Sequence, residues 1–333
     1  MGINVGDKTI HLLLALIFLI SFTSIANAGK ETMITGWRLT SSPSIYGNIV
    51  TWSDTYVNGV IMYNLTTGNM TYIGHAENDP RVQGDKITWW DNGNITVYNI
   101  STSKEIEIVN ASTPTIYGDN VVYVRSKYDN GQPASHQNDG SNSLYLYNLS
   151  TNEETQLTPY EHAYFGSSIY GNKIVWTQEN EVNSSERSTN ISIYDIPTKK
   201  VSDISRSGTA AGGKIYGNIV VWVEYQNGSM NVMDVYMRDI AKHETRQVTF
   251  DGNSNIPDIY GDRIVWEREY WIGNNFASDI YMCNISTNET TRITNSTYAS
   301  DPAIYDDKIV YTDTRNDPVY QENRNIYLYN LSA

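Results

Sequence analysis

The stretch DIYGDRIVW, Asp258 to Trp266, decides the fold, because close variants of it recur along the whole chain. PSIYGNIVTW begins at Pro43, PTIYGDNVVY at Pro114, SSIYGNKIVW at Ser167, GKIYGNIVVW at Gly213 and PAIYDDKIVY at Pro302. PRVQGDKITW at Pro80 is a seventh, diverged copy. Five of the seven copies set two apolar, β-branched runs around Tyr-Gly-Asp or Tyr-Gly-Asn; the Pro80 copy has Gln-Gly-Asp there and the Pro302 copy Tyr-Asp-Asp. That is the composition of two strands joined by a tight hairpin, with Gly supplying the positive φ such turns need.

A second phrase follows every copy: VIMYNLTTG at Val60, NITVYNISTS at Asn94, SLYLYNLSTN at Ser143, NISIYDIPTK at Asn190, DVYMRDIAKH at Asp234, DIYMCNISTN at Asp279 and NIYLYNLSA at Asn325. The turn positions Gly47, Gly84, Gly118, Gly171, Gly217, Gly261 and Asp306 lie 34 to 53 residues apart. Periods of that size mark solenoids, arrays and propellers. With a short run such as TRIT at Thr291 after the second phrase, each repeat reads as four strands, and no helical period appears after residue 28. Seven four-stranded units predict an all-β, seven-bladed β-propeller of antiparallel blades. The last copy along the chain, at Pro302, holds three strands, and residues 32 to 40 (TMITGWRLT) offer a spare fourth. Completing the last blade with that N-terminal strand closes the ring and removes an open sheet edge.

The phrases IYGDRIVW and DIYMCNIST resemble the TolB-like β-propeller repeats of archaeal, especially methanogen, cell-surface proteins, over residues 32 to 333. The chain departs from bacterial TolB, which has an N-terminal α/β domain, six blades and a different turn. The resemblance therefore implies a propeller in an extracytoplasmic setting and carries over no part in translocation complexes.

Lys8, the apolar run HLLLALIFLI and Ala26-Asn27-Ala28 read as a secretory signal over residues 1 to 28, leaving a single propeller domain at 29–333. The mature chain is then expected to be secreted or held at the cell surface, with no membrane span. Net charge is −14, which argues against nucleic acid and anionic membrane surfaces as partners. Cys283 is the single cysteine; its place in a strand phrase suggests a buried thiol, so packing alone must stabilise the ring.

The register aromatics Trp52, Trp89, Tyr123, Trp176, Trp222, Trp266 and Tyr311 predict packing between blades. Function is expected in the irregular loops that join strand two to three, and strand four to the next blade. These hold Tyr128, His136, His162, Tyr164, Phe165, Tyr270, Trp271 and Phe276. Rings beside carboxylates and amides compose a sugar-binding platform. The ligand expected is an envelope glycan or a surface protein, with Trp271, Tyr164 and Tyr128 as preferred contacts. No nucleophile elbow or zinc-helix motif is present, so a non-catalytic binding or scaffold module is the first reading. The alternative is a polysaccharide lyase or glycosidase using paired carboxylates and His on the same rim; a separate candidate there is a metal site of His136 and His162 with Glu161, as in some propeller polysaccharide lyases, and a structural surface-layer component is a third reading. Asp251, Asn253 and Asn255 have the 1,3,5 spacing of a calcium loop, though Ile256 stands where its turn glycine belongs; no other cofactor is indicated.

Thirteen N-x-S/T sequons occur. Five (Asn64, Asn99, Asn148, Asn284, Asn330) share the third-strand exit, where Asp195 and Asp239 replace Asn, so the turn explains them. Asn183, Asn227 and Asn295 fall in irregular loops and are the expected glycan acceptors.

Overall fold

A computed structural model describes residues 29–332 except 37, 77, 127–141, 184–185, 227–228 and 319–322. Seven four-stranded antiparallel sheets succeed one another along the chain, and the described residues contain strands and turns but no helix. This is the seven-bladed propeller that the repeats predict. Blade six shows the plan: Ser254–Tyr260, Arg263–Ile272, Asn275–Asn284 and Thr290–Arg292, each pairing with the next. First strands of successive blades touch one another, and those of blades one and seven also meet, so they wall a closed central channel. Fourth strands are exposed over most of their length.

The hairpin turns follow the backbone rule expected of them. Gly261 has φ +61, and in blade seven Asp306 accepts φ +54 in the same place; Asp tolerates that region better than most side chains. Six inner strands also carry a bulge with a positive-φ residue: Ser42, Thr113, Gly166, Gly212, Ile256 and Asp301. The bulge turns main-chain N–H groups toward the preceding blade, where side chains accept them. Thr177 Oγ1 accepts from Gly212 N at 3.1 Å, and Glu267 Oε2 from Asp301 N at 3.3 Å. Ser44, Ser168 and Asp258 likewise accept from Val82, Ile215 and Ile304. Neighbouring inner strands are thus tied without being paired.

The register aromatics are 0% to 2% exposed. Each packs back onto the preceding blade: Trp176 against Val122, Val124 and Leu144, and Trp52 of blade one against Val310 and Ile326 of blade seven. One apolar cluster therefore fills each of the seven wedges.

The ring closes through the N-terminal strand, with corrected bounds. Lys30–Met33 pairs antiparallel with Asn325–Asn330, Lys30 facing Asn330 and Met33 facing Tyr327. Thr40 already belongs to the inner strand of blade one, Thr40–Tyr46. The intervening chain must travel from the outer edge of blade seven to the channel wall, so it leaves the sheet and bends at Gly36. On the way Thr35 is anchored: its Oγ1 accepts from Ile326 N at 2.9 Å.

Candidate functional site

On the face made by the second-to-third-strand loops, the blades differ in reach. Blades one, two and seven have six-residue second and third strands. In blades four, five and six the same hairpins run on as ribbons: Lys173–Asn183 with Glu186–Asp195, Ile219–Gln226 with Ser229–Asp239, and Arg263–Ile272 with Asn275–Asn284. The blade-six ribbon ends in Trp271, Ile272 and Phe276, which are 69%, 52% and 51% exposed. Trp271 and Phe276 pair edge to face at 5.8 Å, so the tip presents an open indole face braced by a second ring.

Beneath the tip lies a buried polar brace. Asp279, wholly buried, receives Arg292 Nη2 at 2.6 Å and Thr294 Oγ1 at 2.7 Å. Tyr270 donates its hydroxyl to the same carboxylate, and Arg292 Nη2 reaches that hydroxyl at 3.0 Å. Burial and then the Asp279 charge push the Tyr270 phenol up to about 12. Tyr270, expected as a ligand contact, is therefore a strut of the ribbon. Blade five repeats part of this device, Asp234 accepting from Thr249 Oγ1 and Gly252 N.

The remaining expected contacts separate. Tyr164 is corrected: at 2% exposure it belongs to the core between blades three and four, where a ring cannot offer its face to a ligand. Phe165 is 37% exposed on the inner strand beside the Gly166 bulge. His162 is half-buried and edge-on to Tyr164 at 6.1 Å. Tyr128 and His136 lie outside the described residues. Among the described residues no three His, Cys, Asp or Glu side chains converge as metal ligands.

The calcium-spaced loop is committed to internal bonds. Asp251 accepts from Asn253 N and Ser254 Oγ and pairs with Arg268 at 2.6 Å, whereas Asn255 turns away to donate to Glu269 at 2.7 Å. Of the expected glycan acceptors, Asn295 is exposed in a loop. Asn183 is corrected from loop to the end of a blade-four strand, opposite Glu186, because the ribbon runs farther than its irregular sequence suggests. Asn227 lies outside the described residues. The shared strand-exit residues cap their turns as expected: Asn148 Oδ1 accepts from Ser150 N and Thr151 N, and Asp195 Oδ1 from Thr198 N. Cys283 is 1% exposed, and burial pushes its thiol up.

Two further features stand in the repeat columns of the sequence. Tyrosine precedes the turn in six copies, and these side chains meet around the channel. Glu267 is the one carboxylic acid in its column; it is 6% exposed, and burial, Asp301 and Glu269 raise it to about 8.

No family model matches this chain, and no curated protein resembles it in sequence. Its fold is found among solved structures. An oligogalacturonate lyase from Vibrio parahaemolyticus superposes with a TM-score of 0.65 at 12% identity, covering 92% of this chain and 94% of that one. The β-propeller domain of the Trilobed protease from Pyrococcus furiosus gives 0.64 at 14% identity, covering 88% and 95%. The tricorn protease gives 0.63 at 10% identity, covering 90% of this chain and 36% of that one. At such identities the likeness establishes the propeller fold, shared here by enzymes of different chemistries.

Proposed function

We propose that this chain is a TolB-like propeller of the archaeal cell-surface kind, exported by its N-terminal leader, and that it acts as a non-catalytic binding module for an envelope glycan. The observation that carries the reading is the exposed Trp271–Phe276 pair on the blade-six ribbon. An indole face open to solvent loses little on stacking against a sugar ring and gains the burial of apolar surface. The segment from Tyr270 to Ser278 carries no charge in a chain of net charge −14, and its Asn274 and Asn275 supply amides for hydroxyl groups. The Asp279–Arg292–Tyr270 brace holds the ribbon rigid, which lowers the entropy cost of binding.

A second reading, a polysaccharide lyase, draws support from two observations. The fold is shared with oligogalacturonate lyases, one of them in complex with manganese, and Glu267 keeps a proton to about pH 8 beside Glu269 and Asp301. A carboxylic acid tuned in that way suits general acid–base work.

The deciding experiment incubates the exported chain with envelope and plant polysaccharides, following retention and new chain ends together. Retention without new ends, lost tenfold or more in Trp271→Ala, is the expected result. New chain ends that carry the unsaturated sugar left by elimination, and that disappear in Glu267→Gln, establish the lyase instead.

A further inference from the structure

Each register aromatic ends in a polar hydrogen, and in three blades a carboxylate of the same chain takes it. Tyr123 donates to Glu154 in blade three and Tyr311 to Glu31 in blade seven, while Trp222 Nε1 donates to Glu224 at 3.0 Å in blade five. Blades three and seven build one frame around that carboxylate. The register ring stacks on a third-strand tyrosine, Tyr145 or Tyr327, at 5.8 Å. An arginine lying over that tyrosine, Arg125 or Arg315, binds both carboxylate oxygens. Burial pushes Glu154 and Glu31 up, yet the arginine and the phenol outweigh it and hold both below the usual carboxylate range. The frame therefore favours an ionised carboxylate.

Blade six builds the same frame without the acid. Trp266 stacks on Tyr281 at 6.1 Å, and Arg268 lies over Tyr281 at 5.3 Å, two residues after the register ring as Arg125 is. Glu154 and Glu31 pair with the residue two on from the stacked tyrosine; in blade six that place belongs to Thr290. The place of Glu224 belongs to Arg268 itself. Trp266 is 2% exposed, and its indole N–H has no hydrogen-bond partner. Trp52 and Trp176 share the unpartnered N–H, but Asp54 and Gln178 stand two residues after them, where blade six has its arginine. A cavity of about 190 Å³ lies here, bounded by Trp266, Arg268, Tyr281 and Thr290 and by Phe250 of blade five. Asp251, also on its wall, holds Arg268 at 2.6 Å, as Asp313 holds Arg315 while Arg315 still binds Glu31. One further carboxylate thus completes the arrangement of blade seven. It cannot arrive on a fourth strand as Glu154 does, because Thr290–Arg292 already fills that place. The open side is beside Phe250, whose ring is 78% exposed. The space equals that of roughly six waters, which suits a single residue. A carboxylated sugar matches these walls: its ring face stacks on Phe250, a hydroxyl meets Thr290, and its carboxylate pairs with Arg268 beside the Trp266 N–H.

We propose that the cavity between blades five and six binds the carboxylate of one acidic sugar residue, an inference that rests on the glycan reading and makes that glycan an acidic one. Calorimetry follows binding of glucuronate and galacturonate oligosaccharides, of their carboxyl-reduced neutral counterparts and of a glutamate-rich peptide to the exported chain. The same titrations are run on Trp271→Ala, Arg268→Gln and Thr290→Glu. The net charge of −14 opposes an acidic ligand at long range, so the salt is held at about 0.15 M to screen it. An acidic oligosaccharide should bind wild type at least tenfold more tightly than its reduced form, and Arg268→Gln and Thr290→Glu should each erase that preference. Thr290→Glu should also raise the thermal midpoint by roughly 2 °C, because it supplies the acid that blades three and seven carry. Equal binding of the acidic and reduced forms overturns the proposal and leaves the glycan reading to Trp271→Ala. A preference for the acidic form that survives both cavity variants, or tighter binding of the peptide, overturns it as well. Absence of binding by every oligosaccharide sinks both readings. Should Arg268→Gln fail to fold, Thr290→Glu, at an exposed strand position, decides.

Discussion

At Glu267 the chain places a carboxylic acid in a column that otherwise holds Ser53, Trp90, Val124, Thr177, Val223 and Thr312. In blades four and five the Thr177 hydroxyl accepts the bulge N–H of the next blade; Glu267 does this for Asp301 with an ionisable group. Folding raises its pKa from 4.5 to about 8, so between those values the folded chain holds a proton that the unfolded chain has lost. Its contribution to stability is complete below pH 4.5, falls as pH rises, and is lost above pH 8. Glu267→Gln keeps an acceptor for Asp301 and removes the titration. Chemical denaturation should find it equal to wild type at pH 4 and more stable at pH 9 by roughly 4 kcal/mol. A second residue-scale expectation concerns Trp176, whose buried indole N–H has no hydrogen-bond partner. Its value lies in filling the wedge, a place that Tyr123 and Tyr311 fill in other blades. Trp176→Phe should therefore cost about 1 kcal/mol and Trp176→Ala about 4 kcal/mol in denaturant titrations.

The closing strand is four residues long and exposed on every residue, so its backbone pairing needs reinforcement from side chains. Arg315 supplies it, binding Glu31 through both nitrogens at 2.7 and 2.9 Å, lying over the Tyr327 ring at 4.4 Å, and pairing with buried Asp313 at 2.6 Å. Tyr311 adds its hydroxyl to Glu31. Blade three contains the same device in continuous chain: Arg125 grips Glu154, Tyr123 donates to it, and Arg125 lies over Tyr145 at 4.7 Å. The N-terminal strand thus reproduces an ordinary fourth strand across the chain ends. The two partners of Arg315 differ in exposure, and their loss should differ accordingly. Arg315→Ala strands the Asp313 charge in the interior and should cost about 3 kcal/mol. Glu31→Ala removes a half-exposed partner and should cost about 1 kcal/mol. Equal losses in urea titrations would show that the buried carboxylate is not what Arg315 serves.

The molecule as a whole is a closed ring, and closure makes blades one and seven equivalent to the rest. Amide exchange should find the inner strands of all seven blades protected alike. Removal of residues 29–33 should selectively expose Thr40–Tyr46 and Ala299–Tyr305, and should produce self-association through the bared Asn325–Asn330 edge, seen as a rise in mass by light scattering. Much of this architecture was legible in the sequence: blade number, strand order, turn positions, register aromatics and the displaced closing strand. Each depends on local rules that a repeat states seven times over, such as strand alternation, positive φ at a turn and one large ring per wedge. The site was legible only in part. Trp271 and Tyr164 look alike as off-register aromatics in irregular loops, yet one stands on a ribbon tip and the other fills the core. Tyr270 likewise became a strut because Asp279 and Arg292 arrive beside it from the third and fourth strands. Burial and partnership of a loop side chain depend on what the neighbouring strands and blades bring to it, and sequence spacing does not encode that. By itself the sequence determined the ring, through contacts between neighbours in a repeated order. Only the tertiary structure decided which side chains face solvent, which acid keeps its proton and that six turn tyrosines converge on one axis, because those properties arise from segments distant in the chain sharing one dielectric and one space.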